Sequence, residues 1–389
     1  MELTGNNAYR DITIRFPGQV IIGKNALLKL TDELAARGYS NVIIVTIQPL
    51  LDLLQPMVQQ LEQQGISVTL DTSIVQEPSF ADVEAMLKSF GNIFADAVVG
   101  IGGGSVLDAA KLVAAQLDNT QTLHDITGNG LLKGRRKGLI CIPTTAGTGS
   151  EVSPNAILVD EADNQKKGII SPYLVPDMVI IDPALTATLP PAVTAATGLD
   201  ALTHCLEAYT NLYAHPFIDM YAYEGMRLIA QNLVAAVTDG TNEDARTQLA
   251  IGSMLGGFCL GPVNTAGVHA LSYPLGSMFH LAHGLSNALL LPYVMEYNMP
   301  AVPARYAAVA RALGCNSGAT DEETAMAGIA KVRELIEQCG IASRLSEAGI
   351  DKAAIPDMAT DAMKITRLLK NNPRPINLNN AIDIYEAAY

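Results

Sequence analysis

Ala95-Asp96-Ala97-Val98-Val99-Gly100-Ile101-Gly102-Gly103-Gly104-Ser105 is the stretch on which the fold turns. Ala95 to Gly100 reads as a strand buried on both faces, the pattern of a parallel sheet. It runs into three consecutive glycines, and a helix is expected to start near Ser105. Strand, glycines and helix make a turn in which the backbone can approach an anion, while the helix N-terminus presents free N–H groups and a partial positive charge. An ordinary glycine-rich turn has the same pattern. Three glycines in a row are more permissive than such a turn requires, which favours a phosphate. The stretch is not the GxGxxG fingerprint, because Ser105 stands where a third spaced glycine would.

Outward from this turn the first half alternates strands and helices. Toward the N-terminus, Asn41 to Thr46 is another β-branched run, Ser67 to Leu70 a short strand, and Asn25 to Arg37, Pro49 to Gln64 and Phe80 to Phe90 read as helices. Ile12, Ile14 and Phe16 alternate as in a strand, and Pro17-Gly18 turns into a second strand over Gln19 to Ile22. Toward the C-terminus, Gly138 to Ile142 is a strand followed by Pro143-Thr144-Thr145-Ala146-Gly147-Thr148-Gly149-Ser150-Glu151. These hydroxyls and glycines suit a second phosphate or ribose loop, and equally a helix-capping loop. Ala156 to Val159 and Met178 to Ile181 are the last strands, with Lys166-Lys167 between them. After Pro190-Pro191 the pattern is helical: Ala195 to Thr210, His215 to Val237, Glu243 to Cys259, Ala307 to Leu313 and Glu322 to Cys339. A boundary near residue 184 divides an α/β domain, 1–184, from a helical one, 185–389.

Three of the six histidines fall in Gly267 to Gly284, and His204 lies four residues after Asp200. An i,i+4 pair projects from one helix face, so Asp200 and His204 can reach one ion. His269 and His283 are separated by 14 residues, about 21 Å along a straight helix, so the chain must bend to bring them together. Pro274, Gly276 and Gly284 are the places to bend. One carboxylate and three imidazoles suit Zn²⁺ or Fe²⁺. Such residues also occur as satisfied core histidines, and spacing alone does not separate the two readings.

Composition narrows the class. The chain has 389 residues, 49% hydrophobic and 16% charged, with a net charge of −14. That excess of acid argues against a nucleic-acid partner. Five scattered cysteines without a CxxC point to reduced thiols and a cytoplasmic setting. No signal peptide is visible in Met1 to Arg15, and no run is long enough to cross a membrane.

Taken together, Gly102 to Lys111, Pro143 to Val152, Gly198-Leu199-Asp200-Ala201-Leu202-Thr203-His204 and residues 267–284 resemble, in order and spacing, the iron-containing (group III) alcohol dehydrogenases. The resemblance covers essentially the whole chain. It implies a dehydroquinate synthase-like architecture, with a mostly parallel α/β nucleotide-binding domain followed by an all-helical metal-binding domain. It implies Fe²⁺, or Zn²⁺, held by Asp200, His204, His269 and His283, and NAD or NADP held by Gly103, Gly104, Ser105, Asp108, Thr144, Thr145, Thr148 and Lys166. The implied reaction exchanges a hydride between the nicotinamide and a small alcohol, aldehyde or ketone, with the metal as Lewis acid. It also implies a homodimer, or an assembly of dimers, joined through N-terminal strands.

Two departures stand out. Some members have a proton-relaying histidine four residues after the third ligand; here that position is Tyr273, with His280 as a substitute relay. Many NAD-preferring members have Asp after the strand-ending threonine; here Thr46 is followed by Ile47, so nothing at that position repels the 2′-phosphate of NADP. Relatives with the same architecture keep other chemistries open: glycerol dehydrogenase, maleylacetate reductase and hydroxyacid–oxoacid transhydrogenase. A nucleotide-binding scaffold without catalysis is the non-enzymatic alternative, and four intact ligands weigh against it.

Overall fold

The computed structural model describes residues 10–91, 93–162 and 165–389. Among them, the strands are β1 (Gln19–Ile22), β2 (Asn41–Val45), β3 (Ser67–Asp71), β4 (Ala97–Gly102), β5 (Gly128–Asn129), β6 (Gly138–Pro143), β7 (Asn155–Asp160), β8 (Gln165–Ile170) and β9 (Met178–Ile181). Six of them form one parallel sheet in the order β1-β9-β6-β4-β2-β3. Helices α1 (Leu30–Ala36), α2 (Leu51–Gln63), α3 (Phe80–Phe90) and α4 (Gly104–Gln116) cover it. Every residue of β4 is buried. Alternate residues go to opposite faces: Val98, Leu139 and Cys141 pack with α3 and α4, and Val99, Ile140 and Ile142 with α1 and α2. The chain passes from β2 outward to β3, then returns to the other side of β2 for β4. This reversal opens a crevice at the carboxyl ends of β2 and β4, where Ile47 and the three glycines lie.

The second half contains α5 (Pro191–Thr210), α6 (Pro216–Thr238), α7 (Glu243–Cys259), α8 (Gly267–Phe279), α9 (His283–Asn298), α10 (Pro303–Ala312), α11 (Asp321–Gln338), α12 (Ile355–Ala362), α13 (Thr366–Leu369) and α14 (Leu378–Ala388). Proline sits in the first turn of α5, α6 and α10, where its missing N–H costs nothing. Helix α5 is buried on nearly every side, with α6, α7 and α9 packed around it. It carries Asp200 and His204 in the middle of this core. No described helix is long and apolar enough to cross a membrane.

Three local expectations differ from the structure. Residues 11–16 form no strand; β1 pairs in parallel with β9, and Ile12 and Ile14 pack on Ala208, Ile218 and Cys259 instead of turning back through Pro17-Gly18. Residues 1–9 of that N-terminal stretch lie outside the described residues. The segment around Lys166 is strand β8, paired antiparallel with β7 in a small sheet with β5. Finally, the bend between His269 and His283 is not at Pro274, which stays within α8. It is at His280, whose φ of 56° is left-handed and whose N–H closes on the carbonyl of Gly276. Leu281 N–H also bonds Leu275 O, and α9 starts two residues later.

Candidate metal and cofactor site

The four sequence-predicted ligands converge. One donor atom from each of Asp200, His204, His269 and His283 lies within 4.8 Å of the others. Asp200 Oδ1 is 3.8 Å from His204 Nε2, 3.6 Å from His269 Nε2 and 3.6 Å from His283 Nε2. Two glycines permit this. A Cβ on Gly284 would fall 2.2 Å from Ala196 O and 3.3 Å from Asp200 Cβ, so the start of α9 meets α5 with no side chain between them. A Cβ on Gly256 would touch Cys205 Sγ and His204 Cβ, so α7 backs α5 as closely.

Outer partners settle which imidazole nitrogen faces the centre. His204 Nδ1 lies 3.2 Å from Gly147 O, and a carbonyl only accepts. His269 Nδ1 lies 2.6 Å from Glu207 Oε2, and Glu207 Oε1 accepts the Val268 N–H at 2.6 Å. Both Nδ1 atoms are therefore donors, which leaves each Nε2 lone pair for an ion. Burial opposes charging His269, yet Glu207 and Asp200 outweigh it and push its pKa up to about 10. Burial, helped by Lys166, takes His283 the other way, to about 3, so it stays neutral with its lone pair free. Burial works against the Asp200 carboxylate, but the three histidines hold its pKa far below the usual range. The positive charge that Glu207 and Asp200 favour at His269 is supplied by a divalent cation at Nε2 in place of the second proton, and with the anionic Asp200 and the neutral His283 this makes a donor set for such an ion.

Glu207 and Asn287 were not anticipated from the sequence. Glu207 lies three residues after His204 and Asn287 four after His283, so each shares a helix face with a ligand. Asn287 Nδ2 is 2.6 Å from Asp200 Oδ1, 3.1 Å from His269 Nε2 and 3.3 Å from His283 Nε2. One amide has two hydrogens for these three acceptors. With the imidazole lone pairs given to an ion, the amide keeps its one bond to Asp200 Oδ1. The Asn287 Oδ1 atom is buried without a hydrogen-bond partner.

The glycine turn and the threonine loop stand side by side above the sheet. A Cβ on Gly104 would fall 2.6 Å from Thr148 Cγ2 and 2.8 Å from its Oγ1, so packing against Thr148 already demands glycine there. Gly103 faces Thr145 at an ordinary 3.4 Å. Helix α4 starts with no side-chain cap and no acidic residue in its first turn, whereas Ser79 caps α3, Asn242 caps α7 and Thr320 caps α11. Gly103, Gly104, Ser105, Thr145 and Thr148 are half-buried, and Thr144 is buried. Asp108 is otherwise engaged: its carboxylate accepts from Ser150 Oγ and from Ile157 N at 2.9 Å. The fully buried Lys111 donates to Ser153 O at 3.0 Å and Asn155 O at 2.8 Å. These bonds pin α4 to the loop after β6, and Gly147 O carries that loop to His204.

Tyr273 lies at the metal cluster, its ring 6.1 Å from that of His283. Lys166 Nζ is 5.2 Å from the Tyr273 ring and 2.5 Å from Glu77 Oε1. His280 is exposed at the end of α8, and no described hydrogen bond or ring contact joins it to the four ligands.

Comparison with known proteins agrees with this geometry. Residues 17–183 match the model of the iron-containing alcohol dehydrogenases, and residues 194–389 match the C-terminal model of the Fe-containing alcohol dehydrogenase family. The chain is 38% identical over 383 residues to long-chain-alcohol dehydrogenase 1 of Geobacillus thermodenitrificans, covering 97% of this chain and 96% of that one. A crystal structure of 1,3-propanediol oxidoreductase superposes with a TM-score of 0.93 at 32% identity, over 98% of this chain and 100% of that one. The sulfoacetaldehyde reductase of Bifidobacterium kashiwanohense, solved in complex with NAD⁺, superposes with a TM-score of 0.87 at 26% identity, over 97% and 99% of the two chains. A four-ligand cluster in register with family models that span nearly the whole chain leaves one assignment: the protein belongs to the iron-containing alcohol dehydrogenase family.

Proposed function

We propose that this oxidoreductase interconverts small alcohols with their aldehydes or ketones, using NAD or NADP and Fe²⁺, with Zn²⁺ as the other ion its ligands suit. The observation that carries the reading is the convergence of Asp200, His204, His269 and His283, with Nδ1 of both His204 and His269 committed elsewhere. When bound, the ion supplies a Lewis acid for the carbonyl oxygen and the nicotinamide supplies or takes the hydride.

The chain's own groups do the rest. The uncapped start of α4, at Gly103, Gly104 and Ser105, offers free N–H groups to a pyrophosphate. Thr144, Thr145 and Thr148 line the adjoining loop, and Asp108 and Lys111 hold that loop in place. Lys166 borders the same cleft as Tyr273. The Tyr273 hydroxyl is the proton donor of choice, because it stands at the ligand cluster while His280 stands at an exposed helix end. Ile47, at the crevice edge after β2, leaves room for either dinucleotide; Ile47→Asp is expected to weaken NADP selectively. Residues 1–184 are read as the nucleotide-binding domain and 185–389 as the metal-binding domain, a division supported by where the two family models meet.

Assembly through the N-terminal region belongs to the same reading. Strand β1 is an edge of the main sheet, and residues 10–17 belong to no strand of this chain. Unpaired backbone of this kind is open to a second copy. Light scattering of the intact chain and of one lacking residues 1–16 tests it; a monomeric intact chain rules it out. The function itself is tested by the absorbance of reduced nicotinamide with a panel of short alcohols and aldehydes, before and after loading with Fe²⁺ or Zn²⁺. Metal-independent turnover, or none with any substrate, refutes it.

A further inference from the structure

We propose that Arg367 and Lys166, gathered on Tyr273, form a subsite for the anionic end of the substrate, so that the preferred carbonyl compounds are short aldehydes or ketones carrying a carboxylate or sulfonate. The inference rests on the oxidoreductase reading and narrows its substrate class.

Tyr273 links this subsite to the metal cluster through its 6.1 Å ring contact with His283. Arg367 Nη2 donates to Tyr273 Oη at 3.0 Å, and its Cζ lies 5.9 Å from the ring centroid. Lys166 Nζ approaches the same ring to 5.2 Å. Two cations thus meet on one aromatic ring beside the site of chemistry. Their charge balance differs. Lys166 is paired with Glu77. Arg367 is half-buried, and among the described residues no carboxylate lies within ion-pair distance of it. Six of the thirteen arginines, Arg37, Arg135, Arg227, Arg305, Arg311 and Arg333, each hold a carboxylate, and Arg367 is among those that do not.

With a net charge of −14 there is no shortage of acid to pair with. A guanidinium kept without one, with most of its five N–H donors uncommitted, is a ready partner for a planar or tetrahedral anion. The phenol oxygen accepts from Arg367, so its own proton remains available to another acceptor. Arg367 is one aromatic side chain away from His283, through its 3.0 Å bond to Tyr273 Oη and the 6.1 Å ring contact, which suits a short substrate. Long uncharged alcohols would leave Arg367 desolvated and unpaired.

The test uses the full chain loaded with metal and reduced cofactor. Reduction of succinate semialdehyde and sulfoacetaldehyde is compared with that of butanal and propanal. The expected result is a kcat/KM at least about 10-fold higher for the charged aldehydes, mostly in KM, because the anion contact is remote from the reacting carbon. Arg367→Met lowers the charged-to-uncharged ratio by about 10- to 100-fold, and Arg367→Lys restores part of it. A preference confined to one of the two anions supports the subsite and identifies its anion. Equal or better turnover of the uncharged aldehydes overturns the proposal while leaving the oxidoreductase reading intact; no turnover of all four overturns both. Should Arg367→Met fail to fold, inhibition of wild-type butanal reduction by succinate and ethanesulfonate decides. Competitive inhibition by either supports the subsite, and inhibition by neither refutes it.

Discussion

Replacing Glu207 with glutamine changes one oxygen of the side chain to an NH₂ group and almost nothing in its size. Glu207 answers two donors at once, the Val268 N–H and His269 Nδ1–H, both at 2.6 Å, and both carboxylate and imidazole are 3% exposed. Glutamine has one acceptor and one donor to offer, so it can answer only one of them. If its oxygen stays on His269, the NH₂ faces the Val268 N–H and a buried donor is left unpaired, at a cost of about 1–3 kcal/mol. If the amide turns over, His269 must accept at Nδ1 and carry its proton on Nε2, where it meets the other ligands and must be removed before an ion binds. Loss of an outer carboxylate of this kind lowers metal affinity by about 10- to 100-fold, equivalent to about 1.4–2.7 kcal/mol. Competition with a chromophoric chelator on Zn²⁺-loaded wild type and Glu207→Gln measures that difference, and thermal melting of both forms measures the orphaned N–H. A dissociation constant within twofold of wild type together with an unchanged melting midpoint refutes the reasoning.

Gly104→Val puts a Cβ 2.6 Å from Thr148 Cγ2, which forces the two loops apart; the Kd for reduced cofactor, read by fluorescence, is expected to rise at least about 10-fold. Thr148→Ala in the same chain removes the clashing atoms and should recover part of the loss, whereas unchanged affinity in the single variant moves the pyrophosphate elsewhere. Burial pushes the Glu151 carboxyl up from 4.5 to about 7, against smaller opposing pulls from its own backbone N–H and Lys111. Between those two values the folded state holds a proton that the unfolded state has lost. Stability is therefore greatest below the lower value, falls as pH rises, and levels off above the upper one, a loss of up to about 3 kcal/mol. Urea unfolding of Glu151→Gln at pH 5 and pH 8 should show a correspondingly smaller pH difference than wild type; an equal difference refutes the assignment.

The sheet was legible because strands buried on both faces read as unbroken apolar runs, as in Val98-Val99 and Val42 to Val45, and because glycine marks the turn after β4. Asp200 and His204 were legible as an i,i+4 pair within one helix. The convergence of His269 and His283 was legible only as a requirement. Proline was the obvious breaker, yet Pro274 continues α8 and His280 makes the turn, since a left-handed non-glycine residue carries no local mark in sequence. The strand around Lys166 escaped notice because Gln165-Lys166-Lys167 offers no apolar alternation; its place is secured by pairing with β7. Alternation at residues 11–16 suggested a strand, whereas Ile12 and Ile14 are used to cover a helical cluster. Glu207, Asn287 and Arg367 act through side chains from three helices, α5, α9 and α13, and such convergence is a property of packing rather than of spacing along the chain.

Metal content and turnover measured in the same preparation test the four-ligand site most directly. Wild type and His269→Ala, both loaded with Fe²⁺ and desalted, are assayed for bound metal by elemental analysis and for aldehyde-dependent oxidation of reduced nicotinamide. The four converging ligands predict that wild type retains one ion and turns over, and that His269→Ala loses metal and activity together. Full metal content in His269→Ala, or wild-type turnover that survives complete removal of the metal, contradicts the account.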